Sequence, residues 1–335
     1  PGLLWQAVVA RYDALIVEAA ASVSETIRDW VRRLGGGPFG HDLGFVFMLT
    51  ARLPMLATRR TPGFFAAHAV ALQDEALWAA HKLAARYCEA GGVIQAHGPV
   101  GQGELASRVI IDTLMNLPLL WWAARAGGRS ALGEIADRHA RTALAHQLRV
   151  DGSVAQVIHV DPSNGRVLGP GVLQGLSPTS TWSRGQAWAI YGWTLSYEYT
   201  GWQPFLEAAR RAARYFVSRA FAPSGAVRVP WDFDDPRPDA PGDTSAAAIA
   251  ASALLELAGV DTDEGAWRNA AIRLLLHLGD NCLAPPGSSA LLVGASYHVP
   301  AGRGINGVAI WGDYFYLEAL NKATGVALSP FGPEP

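Results

Sequence analysis

Residues 110–126 read IIDTLMNLPLLWWAARA, and residues 244–258 read TSAAAIAASALLELA. Both runs are apolar around the whole circumference of a helix, too long for strands and too short to cross a membrane. Each is therefore expected to be a helix buried on all sides. A different kind of segment precedes the first of them. Leu72, Ala76, Ala80, Leu83 and Tyr87 form one stripe, with Gln73, Asp74, Glu75, Lys82 and Arg86 off it. That pattern is an amphipathic helix covering a core.

The two kinds alternate from end to end. Apolar segments fall at 2–13, 42–56, 110–126, 183–200, 244–258 and 311–324, and amphipathic ones at 14–34, 66–90, 130–148, 204–220 and 264–282. Gly127, Gly201, Gly259 and Gly325 follow apolar segments, where a glycine ends a helix most easily. Asp42, Asp112, Arg184, Asp243 and Asp313 occupy similar places near the segment starts, 70, 72, 59 and 70 residues apart. A period of this size marks stacked helical hairpins. Six inner helices would close a ring, so the expected fold is all-α and the expected organisation is one domain over 1–335. Links from inner to outer helices are short, whereas 91–109, 149–182, 221–243 and 283–310 are long and rich in Gly and Pro. Those loops would gather above the N-termini of the inner helices, and long ordered loops usually carry function.

Composition narrows the function. The formal net charge is -2, with no clustered basic face to read nucleic acid. No apolar run reaches about 18 residues, so no membrane helix is expected. Only Lys82 and Lys322 are lysines, a bias that base composition explains. Cys88 and Cys282 are isolated, and neither His159 nor His298 has a partner at metal-ligand spacing. Neither metal nor cofactor is expected. There is no GxSxG, P-loop or HExxH motif. The first residue is Pro1, so the sequence carries no leader from which to read localisation, and it is silent on oligomeric state.

The loop end holds HDLGF at 41–45, IIDTLMN at 110–116, HVDPSNG at 159–165, WDFDDP at 231–236 and SYH at 296–298. Asp42 and Asp112 begin apolar helices. For a lone Asp, capping the helix N-terminus is the commoner role. Ile110 and Ile111 argue against it at Asp112, because they suggest a helix already under way. An acid in so apolar a segment is paired, protonated or functional, and two acids facing one cavity raise one pKa. Trp182, Trp188, Trp231, Tyr297, Trp311 and Tyr314 crowd the same end. Each alone is a core residue, but with Gln174, Gln186, Arg184, His159 and His298 they suit a sugar bearing an anion. Arg184, between two tryptophans, requires an anionic partner, either a protein carboxylate or one on the substrate.

These segments, in this order, resemble the unsaturated glucuronyl hydrolases, family 88 of the glycoside hydrolases. The resemblance runs from Pro1 to about Gly325 and is densest in HDLGF, the 110–121 block, W-x-RGQAW-x-IYG-x-TL-x-YEYTG, DTSAAAIAASALLEL and WGDYFYLEAL. It implies an (α/α)6 barrel that removes a 4,5-unsaturated uronic acid from the non-reducing end of oligosaccharides made by lyases. The implied chemistry is hydration of a vinyl ether. Asp112 would protonate C4 and then take a proton from the water that attacks C5, while Asp42 would hold sugar hydroxyls. His159, Gln174, Arg184 and Trp188 would surround the sugar, with Tyr297 and His298 on a closing loop. The sequence departs from the family at Leu173, at Leu176-Ser177-Pro178-Thr179 and at Ile305-Asn306-Gly307. It also opens at Pro1, where the family has a preceding outer helix and a tryptophan. These departures keep open a non-catalytic barrel that binds uronyl oligosaccharides. A sugar epimerase on the same barrel would want a central pair of histidines where the helix starts here carry Asp.

Overall fold

Two kinds of helix alternate along the chain, as their side chains require. The computed structural model describes residues 1–335 except 11–12, 59–68, 128, 327–328 and 334–335, and except the side chains of 38, 39 and 58. The inner ring begins with α1 (Gly2–Ala10), which α2 (Ala14–Arg33) covers from outside. Next comes α3 (Leu43–Phe47), continued through a π-helical turn over Met48–Arg52 into α4 (Leu53–Thr58) and backed by α5 (Ala69–Ala84). Three hairpins of the same design follow: α6 (Leu117–Gly127) with α7 (Ser130–Gln147), α8 (Ser183–Thr200) with α9 (Gln203–Ala220), and α10 (Thr244–Val260) with α11 (Glu264–Asn281). The last inner helix, α12 (Ile310–Ala323), packs on α10 and on α1 and so closes the ring. The expectation of a further outer helix ahead of Pro1 lies outside the sequence described.

Burial follows the sequence pattern. Inner α10 is almost entirely buried, and its run of alanines lets α8 and α12 approach it from both sides. Outer α9 buries one stripe, including Phe205, Ala209, Ala212 and Phe216, and leaves Arg214 and Arg219 toward water. One hydrophobic core runs from Trp5 to Phe331. Local signals set the ends. The Asp13 carboxylate caps α2 by accepting from the Leu15 and Ile16 amides, a contact typically stabilising by about 1 kcal/mol. Gly201 ends α8 in the left-handed conformation (φ 68°). No described helix is long and apolar enough to cross a membrane.

The loop end is more ordered than the sequence suggests. Strands β1 (Tyr87–Cys88) and β2 (Val93–Ile94) form a small hairpin, so the helix expected over 66–90 ends at Ala84 (66–68 lie outside the described residues). The long loops at 91–109 and 149–182 meet in a three-stranded antiparallel sheet of β3 (Arg108–Ile110), β4 (Val157–Val160) and β5 (Val167–Gly171). Ile110 pairs with Val157 and Arg108 with His159. This corrects the expectation of a helix already under way at Ile110. The β-branched Val109 and Ile110 find β-branched partners and take the strand, which suits them better than a helix does. A 3-10 turn over Ile111–Asn116 then leads into α6, and Asp112 sits in its first turn.

Candidate active site

Asp42 and Asp112 come together because their segments pack backbone to backbone. A Cβ on Gly44 would lie 2.4 Å from the Asn116 Cα, so the HDLGF turn reaches the IIDTLMN turn only with glycine at that place. Asn116 then ties the two: its Oδ1 accepts from the Phe45 amide (2.7 Å) and its Nδ2 donates to the Asp112 carbonyl (3.2 Å). Beside it, His41 Nδ1 and Thr113 Oγ1 are 2.6 Å apart in a hydrogen bond.

A cavity of about 480 Å³ opens above these turns, at the N-terminal ends of α1, α3, α8 and α12. Seven of the eight residues expected at the site line it: Asp42, Asp112, Gln174, Arg184, Trp188, Tyr297 and His298. His159 does not. It lies on β4, with its Nδ1 against Ser107 Oγ (3.0 Å) and its ring over Gly171. Trp188, held between Phe45 and Phe315 at ring separations of 5.2 Å, gives the cavity an aromatic floor. Trp182, Trp311 and Tyr314 line it too, whereas Trp231 is buried elsewhere with its Nε1 bonded to Asp235.

Neither carboxylate caps its helix. Asp42 occupies the N-cap position of α3 but makes no capping hydrogen bond, and about half of its side chain faces the cavity. Asp112 Oδ1 is buried with no hydrogen-bond partner among the described residues. Burial raises the Asp42 pKa to about 6, against the opposing effects of His97 and of the Asn116 hydrogen bond. Burial raises Asp112 further, to about 7; the neighbouring charge of Asp42 adds to the rise, and Arg184 offsets part of it. Near neutral pH Asp112 can therefore hold a proton and also release it, as a general acid–base group requires. His41 and His97 are pushed the other way by burial, to about 3 and about 4, and both imidazoles are neutral at pH 7.

Arg184 finds its anion inside the protein. Its Nη1 donates to Asp243 Oδ2 (2.5 Å) and the Ser296 carbonyl (2.9 Å), and its Nη2 donates to the Tyr297 carbonyl (2.8 Å). Trp182 and Trp311 lie against the guanidinium. Gln174 Nε2 donates to the same Tyr297 carbonyl (2.9 Å). Between them they brace the 283–310 loop, placing the half-exposed Tyr297 and His298 over the cavity. Gln186, the other glutamine at this end, turns away and donates to the carbonyls of Gly152 and Ala212.

Other features shape the site without a clear sequence signal. His97 lines the cavity from the loop after β2, where nothing in GGVIQAHGPV marks it. Gln156 Oε1 accepts from the amides of Leu173, Gln174 and Gly175, so a buried side chain sets the turn that presents Gln174. Asp232, from the WDFDDP stretch, accepts from the Leu176 amide and Ser180 Oγ (both 2.8 Å) and so holds the departing Leu176–Thr179 turn. Of the divergent positions, Leu173 lines the cavity.

Acid–base chemistry on a carbohydrate is what such a cavity offers: aromatic faces for a ring, and one buried carboxyl poised near neutrality beside a second. A closed ring of helical hairpins with that chemistry at its loop end makes the molecule a helical-barrel glycosidase. No protein-family model matches the chain. Individual proteins do. The chain is 36% identical over 326 residues to the unsaturated glucuronyl hydrolase of Bacillus sp. (strain GL1), an alignment covering 95% of this chain and 83% of that protein. The crystal structure of the Bacillus sp. GL1 enzyme superimposes with a TM-score of 0.86 over 96% of this chain and 83% of that one. An unsaturated chondroitin disaccharide hydrolase of Streptococcus pneumoniae is 35% identical over 84% of this chain and 69% of its own length. A solved unsaturated glucuronyl hydrolase specific for heparin shares 30% identity, with a TM-score of 0.86 over 97% of this chain and 84% of its own. The chain belongs to the unsaturated glucuronyl hydrolase family.

Proposed function

We propose that this glycosidase releases the 4,5-unsaturated uronic acid from lyase-generated oligosaccharides by hydrating the C4=C5 bond, with Asp112 as both acid and base. The observation that carries the reading is the state of Asp112: a half-buried residue of the cavity wall, with a pKa raised to about 7 and with one carboxyl oxygen buried and unpartnered among the described residues. The protonated carboxyl gives its proton to C4, and positive charge develops at C5 and the ring oxygen. Asp112, now a carboxylate, takes a proton from the water that adds to C5, which restores the acid. The C5 hydroxyl so formed makes a hemiketal, whose opening breaks the ring and expels the rest of the oligosaccharide. No direct displacement at the anomeric carbon occurs, so the separation of Asp42 and Asp112 does not set a stereochemical outcome.

Asp42 supports this in two ways. It offers acceptors to the sugar hydroxyls, and its charge helps keep the Asp112 proton in place. Trp188 presents a flat face to the ring, while Tyr297 and His298 cover it from the braced loop. Arg184 is satisfied by Asp243, so its part in sugar binding runs through that brace and through its field in the cavity. His159 lies behind the cavity wall, paired with Arg108 in the β-sheet that leads into the turn carrying Asp112. The relatives act on glycosaminoglycan-derived substrates, including chondroitin disaccharide and heparin. A panel of unsaturated disaccharides from those sources tests the proposal, with loss of the ultraviolet absorbance of the conjugated double bond as the readout. Turnover of at least one member is expected. Saturable binding with no loss of absorbance for any of them would make the barrel a binding protein instead.

A further inference from the structure

His41 and His97 face the cavity beside Asp42, and the chemistry above uses neither. One donor atom from each of the three side chains lies within 4.8 Å of the others. His41 Nε2 is 3.5 Å from Asp42 Oδ1, and the two imidazole centroids are 5.1 Å apart. Metal–ligand bonds of about 2.0–2.1 Å in a tetrahedron set donor atoms about 3.3 Å apart, so the His41–Asp42 pair already has nearly the required separation. The half-buried His97 supplies the third donor, within 4.8 Å of the other two. The His41 ring is also oriented as a ligand is: Thr113 holds its Nδ1 (2.6 Å), leaving Nε2 directed at Asp42. An outer partner on the second nitrogen is how proteins fix ligating histidines.

We propose that His41, Asp42 and His97 form a site for a nitrogen-seeking divalent ion such as Zn²⁺, and that its occupation blocks the sugar site. Two nitrogens and one carboxylate oxygen are a borderline-soft donor set. Arg86 and Arg108 act on these histidines as nearby positive charges. They oppose ions held by charge alone, so Mg²⁺ and Ca²⁺, which want several oxygens, do not bind. All three ligands line the cavity, so the fourth position of the ion points into it. The blocking half of the proposal rests on the reading above, in which Asp42 serves the sugar, because a bound ion takes that carboxylate.

Equilibrium dialysis of Zn²⁺ against the chelator-treated protein tests binding without any substrate. One ion per chain at micromolar Zn²⁺ is expected, with no uptake of Mg²⁺ or Ca²⁺. His97→Ala should weaken it at least about 10-fold, and Thr113→Val, which frees the His41 ring, by about 10- to 100-fold. Each variant is first checked for an unchanged melting temperature, and His97→Gln replaces His97→Ala if that variant does not fold. No saturable Zn²⁺ uptake, or uptake unchanged in a folded His97 variant, overturns the site. If the ion binds but hydrolysis of the best disaccharide is unaffected by Zn²⁺, the blocking half falls while the site stands.

Discussion

Aspartates recur near the starts of four inner segments, at 42, 112, 243 and 313, yet the two halves of the barrel put them to opposite uses. In the second half they are consumed by structure. Asp243 is fully buried: its Oδ1 accepts from the Ser245 amide and hydroxyl, and its Oδ2 holds Arg184. Asp313 accepts from the Leu291 and Leu292 amides, 3.1 and 2.9 Å away. In the first half, Asp42 makes no capping bond and Asp112 keeps one oxygen unpartnered. Position in the repeat is therefore no guide to role. What separates the two sets is whether the protein itself fills the carboxylate's acceptor sites.

The sharpest way to break this contrast is Asp112→Asn. Turnover should fall at least about 100-fold, the lower end of a general acid–base contribution, with the melting temperature unchanged or higher. Near-normal turnover in a folded variant would refute the assignment. Asp243→Asn should do the reverse. It strands a buried guanidinium, so unfolding by denaturant should show a loss of about 3–5 kcal/mol. Activity per folded molecule should fall less than in the Asp112 variant.

A third test uses pH. The Asp112 carboxyl titrates at about 7 when folded, against 3.8 for a free side chain, so the fold favours its protonated form. That contribution is fully present below about pH 4 and is lost as pH rises through about 7. Wild-type stability should therefore decline relative to Asp112→Asn across this window and run parallel above it. Asp42→Asn removes the charge that helps raise Asp112, so the alkaline limb of kcat/KM should move to lower pH. The smallest effect belongs to Asp313→Asn. The two loop amides use separate oxygens, so the change leaves one of them without its acceptor and should cost about 1–3 kcal/mol, with no shift of the pH profile.

The helical ring was legible because its signals are long. All-round apolar runs such as 244–258 and stripes such as Leu72–Ala76–Ala80–Leu83 repeat over several turns, and each matches a helix of the expected kind. The loop end was less legible because its order comes from contacts distant in sequence. Arg108–Ile110 is a strand only by pairing with 157–159. The partner of Arg184 is 59 residues away, and nothing local distinguishes Asp243 from an anionic substrate as its counter-charge. HDLGF and IIDTLMN announced the two carboxylates, but His97 gave no notice. A lone histidine in a glycine-bounded loop acquires meaning only when Gly40 and Gly44 bring its neighbours within reach.

The seam between α1 and α12 bears on how the molecule is made. Asn321 Nδ2 donates to the Gln6 carbonyl (3.0 Å) and to its side-chain oxygen (2.8 Å), across 315 residues of sequence. At about 5–20 residues per second, a ribosome takes roughly 15–60 s to supply that partner. For that interval the side of α1 that meets α12 has nothing to pack against, although several hairpins behind it are already translated. Trp188 and the loop carrying Tyr297 emerge well after Asp42 and Asp112, so an interrupted chain can hold both aspartates and still lack a pocket. The slow step expected in assembly is closure of the ring, since it waits for a contact that spans 315 residues.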